Sequence, residues 1–202
     1  MIFIRNKVSL QNRGHLKNDF NLTWMMIPES RDIKIGHQQC LQLYRLGREN
    51  MIEEPKPLTI KKNWKRPSKT QIKAFENIPT GFVTDALDGE GTLSIDIKPV
   101  GDGRDINCVT VGAAVTAGNN AADIMGTLAA LNFIQEDDVL VASVSGHQGC
   151  AAAGDRVMGM LKNCGGAGFV TDGPMRDYAG LIEVALPAWC TGLTPASPFT
   201  KG

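Results

Sequence analysis

Residues 138–171 read DVLVASVSGHQGCAAAGDRVMGMLKNCGGAGFVT. The continuous apolar run at 138–144 suits a strand buried on both faces. Residues 156–164, RVMGMLKNC, have helical spacing and stop at Gly165-Gly166. AGFVT, at 167–171, is again short and β-rich. Strand, helix and strand within one such stretch imply parallel strands joined by a crossover helix. Upstream, CVTVGAAVT at 108–116 predicts another strand, and NNAADIMGTLAALNFI at 119–134 predicts a helix with Ile124, Leu128 and Leu131 on one face. The alternation places the chain in the α/β class with an at least partly parallel sheet.

The domain begins near residue 66. In RPSKTQIKAFENIPT, Ser68 can cap a helix that carries Ile72 and Phe75 and stops before Pro79. Residues 1–65 show no sustained period and read as a basic extension, partly disordered, with one helix near 37–48. Residues 181–187 predict a short passage from helix to strand. TGLTPASPFTKG then ends the chain without a closing element.

At 202 residues the chain has room for one domain and an extension. No apolar run reaches the roughly 18 residues of a membrane span, so no membrane partner is expected and the cytoplasm is the default location. The formal charge of zero conceals an asymmetry, because residues 1–73 carry 15 Lys and Arg against 6 Asp and Glu. These basic residues are scattered among Asn, Gln and apolar positions, so a solvated extension is expected rather than a nucleic-acid-binding arm. The five cysteines, at 40, 108, 150, 164 and 190, form no C-x-x-C pair. Reduced thiols fit this spacing better than a disulfide framework or a structural zinc site.

The familiar nucleotide and hydrolase motifs are absent, since SGHQG is not a G-x-S-x-G elbow and no phosphate-loop lysine sequence exists. More telling is the cluster at the two ends of the 154–177 unit. A helix starting at Gly154 and Asp155 would present the amides of Arg156, Val157 and Met158 to an anion. The following strand would deliver Asp172, and the DGPM turn would swing Arg176 and Asp177 over the same mouth. Arg offers a planar fork to a carboxylate, and Asp offers a hard oxygen to a divalent cation that keeps several waters. Singly, these residues read as a helix cap, a turn and a surface ion pair. Together they are more specific.

The spacing Asp155, twenty residues, Arg176-Asp177 resembles the D-x20-R-D signature of the 4-hydroxy-4-methyl-2-oxoglutarate/4-carboxy-4-hydroxy-2-oxoadipate (HMG/CHA) aldolases, a branch of the RraA-like family (regulator of ribonuclease E activity A). RPSKTQIKAFENIPTGFVTDALDGEGTLSIDIKPV is similar to the opening helix and (S/T)-D-A-L turn of that family, and EDDVLVASVSG is similar to its PGDVLVVDxGG strand. The resemblance spans about residues 64–202. It implies an αββα-type sandwich of the swivelling β/β/α kind, assembled as a homotrimer or a dimer of trimers. It also implies a Mg- or Mn-dependent, class II-type lyase that releases pyruvate from 4-hydroxy-2-oxo acids, with oxaloacetate decarboxylation as a second reaction.

By position, the resemblance assigns the metal to Asp177, the pyruvyl carboxylate and developing enolate to Arg176, and the orientation or activation of a metal-held water to Asp155. The amides of Val157 and Met158 help hold the carboxylate. In the regulators of the family, position 155 is typically glycine and an acid stands at position 180. This chain has Asp155 and Gly180, the aldolase pattern. Relatives continue beyond TPASP with further strands, so residues 66–202 are expected to lack the usual C-terminal strands. The alternatives are a non-catalytic regulator acting by protein binding and an inactive truncated homologue.

Overall fold

The computed structural model describes residues 58–198. The predicted helix near 37–48 and most of the basic extension lie outside them. The described residues form five strands and five α-helices. In chain order these are α1 (Lys69–Lys73), α2 (Thr80–Asp85), β1 (Lys98–Pro99), β2 (Ala114–Gly118), α3 (Met125–Ala130), β3 (Val139–Ser143), α4 (Asp155–Asn163), β4 (Gly168–Thr171), α5 (Tyr178–Val184) and β5 (Ala188–Cys190). The strands make one sheet in the order β1-β5-β4-β3-β2. From β2 to β5 every pairing is parallel, with Leu140 opposite Phe169 and Val170 opposite Trp189, and β1 is an antiparallel edge. The expected mixed α/β class is therefore observed.

Strand alternation divides the sheet into two faces. Val115, Ala117, Leu140, Ala142, Phe169, Ala188 and Cys190 pack with Val157, Met158 and Leu161 of α4 and Leu181 of α5. On the other face Val139, Val170 and Trp189 pack with Ile97, Cys108 and Val141. Burial of a side chain such as Leu161 or Phe169, both fully enclosed, contributes about 1.5–3 kcal/mol. That anchors α4 and so fixes its N-terminus relative to the strand ends.

Three boundaries differ from the sequence pattern, each for a visible reason. The 108–116 run becomes a ladder strand only at Ala114, because Asn107 bonds the backbone of Val109 and Thr110 Oγ1 donates to Ala167 O. The 119–134 helix shortens to α3 and a 3-10 turn at Leu131–Phe133. Asn119 is the cause: its side chain accepts from Thr127 N at 3.1 Å and donates to Thr127 Oγ1 and Ser143 O, both at 2.9 Å. The residues between are drawn into turns, with Ala122 at φ 58°. Finally, Ser68 does cap α1 in a reciprocal capping box with Gln71, but α1 stops at Lys73, leaving Phe75 exposed, and α2 is a separate helix after Pro79.

The segment leading into α1 is held by a buried ion pair. Arg66 Nη1 lies 2.6 and 2.7 Å from the two carboxylate oxygens of Asp138, and its Nη2 donates to Phe133 O. The Asp138 side chain is 3% exposed and also accepts from Gln135 N at 2.7 Å. Trp64 stands edge-on to Phe133 with Arg66 over its ring.

Candidate active site

The loops that follow all four parallel strands open onto one cavity of about 430 Å³. Ala121–Ile124 come after β2, Ala151–Gly154 after β3, Arg176 and Asp177 after β4, and Ser197 and Pro198 after β5. The first turn of α4, Asp155 to Val157, completes the wall. Crevices beyond the carboxyl ends of parallel strands are where α/β sheets bind ligands.

The helix–strand unit does bring Asp155, Arg176 and Asp177 to one place. Arg176 Nε lies 3.1 Å from Asp177 Oδ2, with the two side chains 32% and 42% exposed. Asp177 occupies the N-cap position of α5, yet its backbone is left-handed at φ 61°, ψ 50° and its carboxylate makes no capping bond. An Asp at an N-cap ordinarily has extended backbone and bonds the helix amides. Here the carboxylate is turned to the Arg176 side, at a backbone cost of about 1–2 kcal/mol.

Two glycines make room for the acids. A Cβ on Gly154 would lie 2.6 Å from Asp177 Oδ2 and 3.0 Å from Arg176 Cγ. A Cβ on Gly180 would lie 2.6 Å from both Cβ and Oδ2 of Asp155. Each carboxylate therefore sits in the space that a side chain on the opposite element would fill.

The first-turn amides are not equivalent. Met158 N–H donates to Gly154 O at 3.1 Å, the first bond of α4 itself, and the Met158 side chain is buried in the core. Its expected part in holding a carboxylate is corrected accordingly. Arg156 N–H donates to Asp155 Oδ1 at 2.6 Å. Among the described residues, Val157 keeps its place on the cavity wall with an N–H that no protein acceptor takes.

Asp172 also departs from expectation. Its carboxylate accepts from Ser143 Oγ and Val144 N at 2.6 Å and from Gly146 N at 3.0 Å, so it braces the loop after β3 and lies off the cavity. Lys162 Nζ donates to Val184 O at 2.6 Å, tying α4 to the C-terminal end of α5. Tyr178, directly after Asp177, donates its phenol to Asp105 Oδ2. That hydrogen bond, with lesser contributions from desolvation and the Asp105 charge, raises the phenol above its ordinary 10.0.

The sequence pattern missed two parts of the wall. Leu128, on the helix face that spacing shares with Ile124 and Leu131, is 41% exposed and lines the cavity with Ile124. The segment after β5 has no periodic signal. It is nevertheless held by bridges of Met175 to Ala153 and Leu193 and by Ala151 N donating to Ala196 O at 3.0 Å.

A family profile described as RraA-like: Aldolase/RraA matches residues 80–202. The chain belongs to the RraA-like family. Among relatives of this RraA-like chain, a Halalkalibacterium halodurans protein named "Putative 4-hydroxy-4-methyl-2-oxoglutarate aldolase" is 37% identical over 131 residues. That alignment covers 65% of this chain and 60% of the relative, so the chain spans about three fifths of that protein's length.

Of solved structures, Streptomyces coelicolor RraAS2, described as an unusual member of the RNase ES inhibitor RraA protein family, is 27% identical with a TM-score of 0.57, covering 67% of this chain and 68% of that one. The RNA-processing inhibitor RraA from Thermus thermophilis matches with a TM-score of 0.53 at 23% identity, covering 62% and 74%, a likeness of fold.

The donor set indicates what kind of cation the cavity suits. Among the described residues no group of three or more His, Cys, Asp and Glu could cage a metal. The carboxylates of Asp155 and Asp177 are hard oxygen donors beside open space. That fits a cation bound through one or two carboxylates while keeping its waters, as Mg does, and not a four-ligand zinc cage. Among the described residues no helix is long and apolar enough to cross a membrane.

Proposed function

We propose that this chain is a divalent-metal-dependent, class II-type lyase that releases pyruvate from 4-hydroxy-2-oxo acids of the 4-hydroxy-4-methyl-2-oxoglutarate kind. We further propose that the same site decarboxylates oxaloacetate. One observation carries the reading: two carboxylates and a guanidinium from the ends of two neighbouring strands line one cavity, each carboxylate given space by a glycine.

Both reactions break a carbon–carbon bond and leave its electron pair on a three-carbon enolate. Arg176 receives the carboxylate of that fragment through its planar fork and offsets the growing charge. The Val157 N–H, at the positive end of α4, adds a second donor to the same group. Asp155 orients the water that carries protons to and from the substrate. Asp177, freed from capping duty by its left-handed backbone, would hold Mg or Mn, which supplies Lewis-acid stabilisation when bound. Among the described residues no lysine lines the cavity, and Lys162 Nζ donates to Val184 O, so the described wall offers no Schiff-base amine.

The domain would comprise residues 66–202 and act in the cytoplasm as a homotrimer or dimer of trimers. Exposed Phe82, Ile95 and Val109, at 68%, 88% and 60%, provide apolar surface for contacts between copies.

A coupled pyruvate-release assay with and without Mg or Mn, on oxaloacetate and a 4-hydroxy-2-oxo diacid, tests the proposal. Turnover should require the metal and fall about 10²–10³-fold in Asp177→Ala, the scale of losing a principal electrostatic group. Undiminished turnover in that variant removes Asp177 from the mechanism. The likeness to the S. coelicolor inhibitor family favours, as a second reading, a regulator acting by protein contact. Folded, metal-loaded protein that releases no pyruvate but masks a ribonuclease would establish it.

A further inference from the structure

The cavity has two unlike walls with an apolar floor between them. Strands β4, β3 and β2 are consecutive neighbours in the sheet, and neighbouring strands stand about 4.8 Å apart. The loop after β2 therefore lies roughly 10 Å across from the loop after β4, which carries Arg176 and Asp177. A pyruvyl unit held at Arg176 spans only part of that distance. The cavity, at about 430 Å³, accommodates ligands well beyond a three-carbon acid, so whatever a substrate carries on its fourth carbon has the β2 side to fill.

The floor comes from the loop after β3, with Ala151, Ala152, Ala153 and Gly154. None has a polar side chain, and their backbones are engaged. Ala151 N and Ala152 N donate to Ala196 O and Pro174 O, while Ala153 O and Gly154 O accept from Arg176 N and Met158 N. The β2 wall is apolar as well, with Ile124 and Leu128 as its large side chains. Leu128 is 41% exposed, and an aliphatic side chain left open on a concave surface gains free energy when a ligand covers it.

The charges on this side do not suit a second anion. Among the described residues, the charge on the β2 wall is the Asp123 carboxylate, which accepts Met125 N–H at 2.8 Å and repels another carboxylate. Arg156 stands exposed at the rim, where water screens it.

We propose that Ile124 and Leu128 form the subsite for the substituent on C4, and that this subsite selects 4-hydroxy-2-oxo acids with an alkyl or aryl chain there over those with a second carboxylate. This rests on the pyruvate-releasing reading given above and narrows it. In the cleavage, the 4-hydroxyl gives its proton to the water oriented by Asp155. The C3–C4 bond breaks with its electron pair on the enolate, and protonation at C3 yields pyruvate. C4 leaves as the carbonyl carbon of an apolar aldehyde or ketone.

Calorimetric titration at fixed Mg with pyruvate, 2-oxohexanoate and 2-oxoglutarate tests the subsite without turnover. Each fully buried methylene is worth about fourfold in affinity, so the three extra methylenes of 2-oxohexanoate should tighten binding over pyruvate about tenfold or more even when partly covered. Wild type should also bind 2-oxohexanoate more tightly than 2-oxoglutarate. Leu128→Ala should weaken 2-oxohexanoate about threefold or more while changing pyruvate less than about twofold, and Leu128→Met should retain the preference. Asp123→Asn should tighten 2-oxoglutarate about threefold and leave 2-oxohexanoate nearly unchanged.

A wild type that binds 2-oxoglutarate as tightly as 2-oxohexanoate, or binds none of the three, overturns the proposal. So does a folded Leu128→Ala that keeps the full preference, and the wild-type series decides the matter even where that variant melts early. The lyase reading fails separately. Wild type that prefers the alkyl chain but releases no pyruvate from any 4-hydroxy-2-oxo acid refutes that reading and leaves the subsite standing, whereas faster release from a diacid than from its alkyl counterpart refutes the subsite alone.

Discussion

Replacing Gly154 by Ala tests whether Asp177 is held at a working position by the gap opposite it. Gly154 has φ −142° and ψ −168°, extended backbone that any residue adopts, so the substitution introduces no backbone strain. Its effect is the added methyl group. That carbon would stand 2.6 Å from Asp177 Oδ2, where ordinary contact begins at 3.4 Å, so the oxygen must withdraw by about 0.8 Å. Arg176 Cγ and Nε, at 3.0 and 3.3 Å from the same point, must yield by smaller amounts.

The displaced atoms belong to partly exposed side chains, so the fold accommodates them cheaply. Loss of the N-cap glycine costs less than about 1 kcal/mol. Activity is far more sensitive, because a misplacement near 1 Å in a catalytic constellation costs about 10²-fold, or about 2.7 kcal/mol of barrier. The assay is kcat/KM for metal-dependent pyruvate release, with melting and circular dichroism on the same sample. A variant that melts within a few degrees of wild type and retains kcat/KM within about threefold refutes the reasoning that the gap positions Asp177.

Arg66→Ala should destabilise the fold by about 3–5 kcal/mol, because it leaves the Asp138 carboxylate buried without its counter-charge. Denaturant unfolding reads this directly, and a loss below about 1 kcal/mol would show the pair to be dispensable. Tyr178 should ionise above its ordinary 10.0 because its phenol donates to Asp105. With the folded value raised, the contribution of the neutral phenol to stability is fully present below about pH 10 and is lost as pH rises through the folded value. Phenolate absorbance in a Tyr44→Phe background should show the midpoint falling in Asp105→Ala, and an unmoved midpoint would dissociate the two residues.

The parallel core was legible because strands buried on both faces leave unbroken apolar runs. Residues 139–143 and 168–171 needed no other signal. The 119–134 segment misled because helical spacing cannot register that Asn119 spends its side chain bonding Thr127 and Ser143. That bonding converts the first turns of an expected helix into part of the cavity wall. For Leu128, spacing gives the face of a helix and is silent on whether that face meets a sheet or open space.

The acid–guanidinium cluster was readable from spacing, whereas the demotion of the Met158 amide required knowing that Gly154 is the N-cap of α4 and that its carbonyl takes the Met158 N–H.

The pairing of Asp155 with Gly180 has a steric basis that spacing alone does not reveal. The resemblance gives the family's regulators glycine at the first position and an acid at the second, and this chain carries the reverse. In the structure the two positions face each other, and a Cβ on residue 180 would lie 2.6 Å from the Cβ and from Oδ2 of Asp155. The Cβ of Asp155 is fixed to α4 and cannot rotate away, so the space holds a side chain from one helix or the other.

Gly180→Asp in the wild-type background should therefore cost about 1–3 kcal/mol from overpacking, increased by repulsion between like charges. With Asp155→Gly already made, the same change should cost little, since an acid in the first turn of α5 suits the helix dipole. A double-mutant cycle by chemical denaturation should return a coupling of about 1–3 kcal/mol. Additivity within about 0.5 kcal/mol would mean that the two helices separate to admit both side chains, and the steric account of the exchange would fail.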